Sequence, residues 1–122
     1  MASSTVDRRP ARGREGEDAA LRVYLRHGYR LVARNWRCPL GELDLVLERD
    51  GVLVACEVKT RTGAAFGGGY EAVTWSKRRK LRHLAEAFLA ANPGRHDGVR
   101  FDVASVWLGP NRADVEVFED AF

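Results

Sequence analysis

Two short stretches, Gly41-Glu42-Leu43-Asp44 and Glu57-Val58-Lys59, carry the residue types and the spacing that chemistry on a phosphate requires. Between them stands Asp50-Gly51, the strongest short-range signal for a two-residue hairpin. With those two residues as the loop, Arg49 faces Val52, Asp44 faces Glu57 and Glu42 faces Lys59. Carboxylates directly opposite each other repel, and folding alone gives no reason to accept that cost. A divalent cation removes it. Magnesium takes hard oxygen ligands, often one or two carboxylates, and leaves its other positions to water and substrate phosphate. Lys59, on the same face, can orient an attacking water or neutralise charge that develops at the phosphate.

The hairpin that positions these groups has a second face. Alternation puts Leu43, Leu45, Leu47, Val54, Cys56 and Val58 together on it, an apolar set that must be core. The run Val52-Leu53-Val54-Ala55-Cys56 is apolar on both faces, which predicts a central strand covered from both sides. The bland alternative is a solvated hairpin face on which Glu42 pairs with Lys59, an arrangement that contributes little. An acidic cluster at one end of a buried strand weighs toward a site instead.

Around the hairpin the periodicity predicts a helix over 13–27, with Ala20, Leu21, Tyr24 and Leu25 at helical spacing and Gly28 as its stop. Strands are predicted over 29–36, 41–49 and 52–60. A glycine-rich loop follows over 61–70, then a helix over 74–91 with Leu81, Leu84, Ala85 and Phe88 on one stripe. Asn92-Pro93-Gly94 ends it, and two strands follow over 99–108 and 114–118. The order predicts an α/β layer architecture, a mixed central sheet of about five strands flanked by helices. Residues 1–12, rich in Ser, Arg and Pro, read as a flexible basic arm, and 13–122 as one domain.

Composition narrows the function classes. The chain has 122 residues, 45% of them hydrophobic, which suits one ordinary core. No apolar run is long enough to span a membrane, and no apolar stretch follows the basic start as a secretory signal would require. Cysteine occurs only as Cys38 and Cys56, without zinc-ligand spacing, so a reduced cytoplasm is the expected location. The net charge is only +3, yet Lys and Arg cluster in the arm and over Lys77–Arg82, which suits a polyanionic partner.

The divided acidic motif resembles that of restriction-endonuclease-like nucleases, commonly written PD-(D/E)xK. More closely, the chain resembles the YraN-like family of bacterial proteins, predicted endonucleases related to archaeal Holliday-junction resolvases. The matching pieces are Gly13-Arg14-Glu15-Gly16-Glu17, Asn35-Trp36-Arg37, Gly41-Glu42-Leu43-Asp44-Leu45-Val46, Glu57-Val58-Lys59-Thr60-Arg61 and Arg100-Phe101-Asp102-Val103. The resemblance implies a restriction-endonuclease-like core in which Asp44 and Glu57 hold Mg2+ (or Mn2+), the Val58 carbonyl completes the metal shell, and Lys59 acts at the attacked phosphate. It leaves room for a homodimer, as among the resolvases.

Glu17 falls on the inward stripe of the first helix, where two readings stay open. One is a metal-site glutamate, as the resemblance implies, and the other is first-turn charge favourable to the helix dipole. Lys77, four residues before Leu81, is expected to point at the site or at phosphate. Arg61, Lys77, Arg78 and Lys80 are the candidate nucleic-acid contacts, with Arg79 and Arg82 facing solvent or the same backbone. Phe66, Tyr70 and Trp75 are expected to pack beneath the glycine-rich loop, with stacking on bases as the alternative; Arg100 and Asp102 are expected to pair on their strand, and His27, His83 and His96 to be incidental. The leading expectation is a magnesium-dependent endonuclease acting on DNA, with branched or flapped forms as candidate substrates. A nucleic-acid-binding module without turnover is the rival, and a protein-interaction adaptor the third reading.

Overall fold

The computed structural model describes residues 11–62 and 75–121. The elements follow in the order α1 (Ala11–Arg26), β1 (Arg30–Cys38), β2 (Gly41–Arg49), β3 (Val52–Thr62), α2 (Trp75–Ala91), β4 (Gly98–Leu108) and β5 (Ala113–Phe118). The expectations for the arm, for Phe66 and Tyr70, and for the side chain of Trp75 lie outside the described residues.

The strands form one five-stranded sheet in sequence order, with β3 in the middle. β3 pairs antiparallel with β2 and parallel with β4, so the sheet is mixed. This is the architecture expected of a restriction-endonuclease-like core. The parallel β3–β4 step needs a crossover, and α2 lies within it. Arg61 was expected to begin a loop. It extends β3 instead, because the ladder to β4 continues through Arg61↔Trp107 and Thr62↔Leu108.

Each face of the sheet carries its own core. On one, Ala19, Ala20 and Tyr24 of α1 pack with Leu45, Leu47, Val54, Cys56, Ala104 and Val106. On the other, Leu81, Leu84, Ala85 and Phe88 of α2 pack with Val46, Leu53, Ala55 and Phe101. The central strand is therefore covered from both sides, as its double-faced apolar run requires. Leu43 departs from the expected pattern. It belongs to the α2 core, whereas Leu45 and Leu47 face α1. Asn35 of β1, between the pairs Arg34↔Leu45 and Trp36↔Leu43, has a left-handed φ of 53°, so regular alternation breaks beside Asp44.

A buried polar network around Asp102, which stands opposite Cys56 on the α1 side of the sheet, joins α1 to the far strands. Asp102 is fully buried and accepts hydrogen bonds from Tyr24 Oη (2.7 Å), Arg100 Nε and Nη2 (both 2.9 Å) and the Asp120 amide (3.0 Å). Arg100 Nη2 also donates to Tyr29 Oη at 2.9 Å. Burial pushes the Tyr24 phenol up, which keeps it a neutral donor to the carboxylate. Pairing of Arg100 with Asp102 was expected; the three further partners were not.

Candidate active site

The β2–β3 ladder has the expected register, from Arg49↔Val52 through Leu45↔Cys56, and the paired residues end there. Asp44 and Glu57, the next position, are where the strands part. The Asp44 carboxylate enters this gap, and its Oδ2 accepts the Val58 N–H at 2.8 Å. Burial pushes the Asp44 carboxyl up to about 7; the Val58 N–H opposes the rise, and the carboxylates of Glu17, Glu57 and Glu42 add to it. Val58 thus meets Asp44 through its amide. The three neighbouring carboxylates place a concentrated negative field at the end of the ladder.

Cations from two elements answer that field. Lys77, from the first turn of α2, forms an ion pair with Glu57 Oε2, and Lys59 Nζ lies 3.9 Å from the same oxygen. Glu57 is 16% exposed and Lys59 26%, so both are partly withdrawn from water. Lys77 points at the site, as its place ahead of Leu81 predicts. Glu42 is held elsewhere: Arg37 Nε donates to its Oε2 at 2.8 Å. The Glu42–Lys59 pairing of the bland reading is thereby replaced by a β1–β2 pair, which leaves Lys59 with Glu57.

Glu17 lies inward, only 6% exposed. Its oxygens accept from Arg34 Nε (3.2 Å) and Asn35 Nδ2 (3.1 Å), while Arg34 also holds Asp18 and the Arg14 carbonyl. Arg34 and Asn35 were missed by sequence reasoning as site supports. Their only signal was Asn35 within one of the matching pieces. Glu17 combines two effects, fixing α1 to β1 and raising the negative potential at Asp44.

A glycine permits the close approach that brings Glu17 there. A Cβ on Gly16 would stand 1.9 Å from Thr60 Oγ1 and 3.0 Å from Thr60 Cβ. Thr60 is β-branched and stiff, so α1 itself must move if a side chain is added. Gly16→Ala is expected to lower stability by about 1–3 kcal/mol in urea denaturation, the usual range for an overpacked contact. Adding Thr60→Ala should regain part of the loss. An unchanged midpoint in the single variant would show that the helix has room to spare.

The other candidates fall into place around this centre. Arg61 is half-buried on β3, Arg78 half-buried on α2, and Arg79 and Lys80 are exposed. Arg82 lies over the Phe101 ring at 5.5 Å from its centroid. No helix among the described residues is long and apolar enough to cross a membrane. Among them, too, no group of three or more His, Cys, Asp or Glu side chains is arranged to hold a metal ion. What the site offers instead is a carboxylate pair, Asp44 and Glu57. That number suits magnesium, which takes one or two carboxylates and fills its remaining positions with water and phosphate.

Residues 16–106 match the model of "Uncharacterised protein family UPF0102". A UPF0102 protein of Clavibacter michiganensis subsp. michiganensis is 46% identical over 110 residues, covering 89% of this chain and 93% of the relative. One from Nocardia farcinica is 44% identical over 119 residues, 94% of each chain. One from Moorella thermoacetica is 42% identical over 120 residues, 97% of this chain and 99% of the relative.

Proposed function

The chain belongs to the UPF0102 family, and from the site at the end of its β2–β3 ladder we propose that it is a divalent-metal-dependent endonuclease acting on DNA. The observation that carries this reading is the Asp44 carboxylate, held in the strand gap by Val58 N–H among three other carboxylates, with Lys59 on the adjoining strand. Asp44 and Glu57 are the residues that would hold Mg2+ or Mn2+. A bound ion supplies charge relief at the phosphate and a more acidic water. The chain's own residues do the rest. Lys59 neutralises charge that develops on the phosphate, from a partly dehydrated position where such an interaction is strengthened. Lys77 balances Glu57 while substrate is absent, and Arg61, Arg78 and Lys80 supply cations for the strand's other phosphates. As a ligand, Glu17 would have to release Arg34 or Asn35, so its part in this proposal is to fix α1 and shape the field.

The rival is a nucleic-acid-binding module without turnover. It is favoured by the lack, among the described residues, of a three-ligand cluster and by the Lys77–Glu57 pair. A cleavage assay on linear, flapped and four-way DNA with magnesium, manganese or chelator decides between them. Metal-dependent products support the enzyme. Salt-sensitive binding without products on any form supports the rival.

Asp44 also gives the reading a signature independent of turnover. Its folded value, near 7, lies above the ordinary carboxylate range, so folding favours its protonated form. That stabilisation is complete below about pH 4 and is lost as pH rises toward 7. Asp44→Asn keeps an acceptor for Val58 N–H and removes the charge. Without metal at pH 8 it should be more stable than wild type by more than about 1 kcal/mol, while calorimetry shows manganese affinity lost. Wild-type affinity should rise with pH through about 7 as the carboxyl ionises. Equal metal affinity in wild type and variant would remove Asp44 from the site.

A further inference from the structure

Several arginines are neutralised within the fold: Arg30 by Glu48, Arg34 by Asp18, Arg37 by Glu42, Arg100 by Asp102 and Arg112 by Asp114. The outer face of α2 gathers cations that are not. Ser76, Arg79, Lys80 and His83 recur at the i, i+3, i+4, i+7 spacing of one helical face, and all are exposed. Among the described residues, Arg79, Lys80 and His83 have no carboxylate in ion-pair contact.

These side chains and Leu40 line an open groove of about 370 Å³ between α2 and the β1–β2 turn. Leu40 is 50% exposed at its rim, an apolar side chain among cations. Gly41 has a φ of 143°, and a Cβ there would lie 3.0 Å from Lys80 Cε and 3.4 Å from its Nζ. Lys80 therefore runs along the chain three residues before Asp44. One helical turn earlier on α2, Lys77 reaches Glu57. The groove and the carboxylate site share both β2 and α2.

Neighbouring cations without counter-charges repel one another, and the positive end of the helix dipole adds to the cost. A polyanion relieves both effects at once. We propose that this groove is a phosphodiester-backbone track, which seats one strand of a nucleic acid on Arg79, Lys80 and His83 as it leaves the carboxylate site. Ser76 donates a hydrogen bond to a phosphate oxygen, and Leu40 packs against a sugar at the rim. The direction of the strand rests on the nuclease reading; the binding does not. The histidine set aside as incidental in the sequence is thereby given a role.

The test is fluorescence anisotropy of the full chain with labelled single-stranded and duplex DNA across a salt series. Arg79→Gln with Lys80→Gln should weaken binding by about tenfold at low salt and lower the log–log salt slope by about two, one for each lost phosphate contact. Arg30→Gln with Arg112→Gln removes the same charge elsewhere and should change both quantities far less. Leu40→Ser should weaken binding with an unaltered slope. Calorimetry with manganese should give wild-type affinity in the Arg79/Lys80 variant, which separates the groove from the carboxylate site. If wild type cleaves nothing but the Arg79/Lys80 variant still loses affinity selectively, the groove stands and the nuclease reading fails. Equal losses in the two double variants would overturn the track. So would displacement of DNA by inorganic phosphate at matched phosphate concentration, which would mark a small-anion site.

Discussion

Lys59→Ala is expected to slow metal-dependent DNA cleavage by about 100-fold or more and to leave DNA affinity nearly unchanged, as befits a charge that acts in the transition state. The expectation rests on the division of labour at Glu57. Lys77 pairs with its Oε2 directly, whereas Lys59 approaches the same oxygen at 3.9 Å. Removing Lys59 therefore leaves Glu57 with a partner, and the fold should tolerate the change. Lys59 is 26% exposed, open enough to meet substrate yet screened enough for its charge to count. Glu57→Gln should abolish cleavage by another route, the loss of a carboxylate for the metal. DNA affinity that is unchanged or tighter distinguishes this route, since a negative charge beside the phosphate has gone. Single-turnover cleavage and anisotropy on the same preparations measure both quantities. A Lys59→Ala protein that cuts at the wild-type rate would place the chemistry at other residues.

The two acidic positions were legible because a two-residue turn fixes a ladder. Asp50-Gly51 set the pairs from Arg49↔Val52 to Leu45↔Cys56, and the central place of β3 followed from its apolar run. What lay beyond the hairpin's own strands was not legible. The ladder's end beside Asp44, and the transfer of Leu43 to the α2 core, occur next to the left-handed Asn35 of a neighbouring strand. A strict alternation rule has no way to register such a neighbour. Lys77 was readable from helical spacing alone, four residues before Leu81. The Arg34 and Asn35 hydrogen bonds to Glu17 were not, because they span 17 and 18 residues and join a helix to a strand. Local pattern identified the groups that could react; tertiary contacts decided how each is held.

The Asp102 network shows the same limit most plainly and carries the largest expected effect on stability. Arg100 and Asp102 stand two residues apart on one strand, which is why their pairing could be anticipated. Tyr24, the partner from α1, is 78 residues away. Asp102→Ala is expected to destabilise the fold by about 3–5 kcal/mol, the range for removing one partner of a buried ion pair. Arg100 would lose the hydrogen bonds that push its guanidinium further up, and Tyr24 Oη and the Asp120 amide would lose their acceptor. Against a total stability of about 5–15 kcal/mol, such a loss leaves a marginal protein. Asp102 stands opposite Cys56, one position before Glu57, yet the carboxylates that act on Asp44 are Glu17, Glu57 and Glu42, so its effect should pass through the fold and not through the metal ligands. Urea denaturation of Asp102→Ala measures the first part. Manganese calorimetry on the fraction that remains folded at low temperature measures the second, with wild-type affinity expected. A destabilisation below about 1 kcal/mol would mean that the hydrogen bonds converging on Asp102 do little more than offset its desolvation.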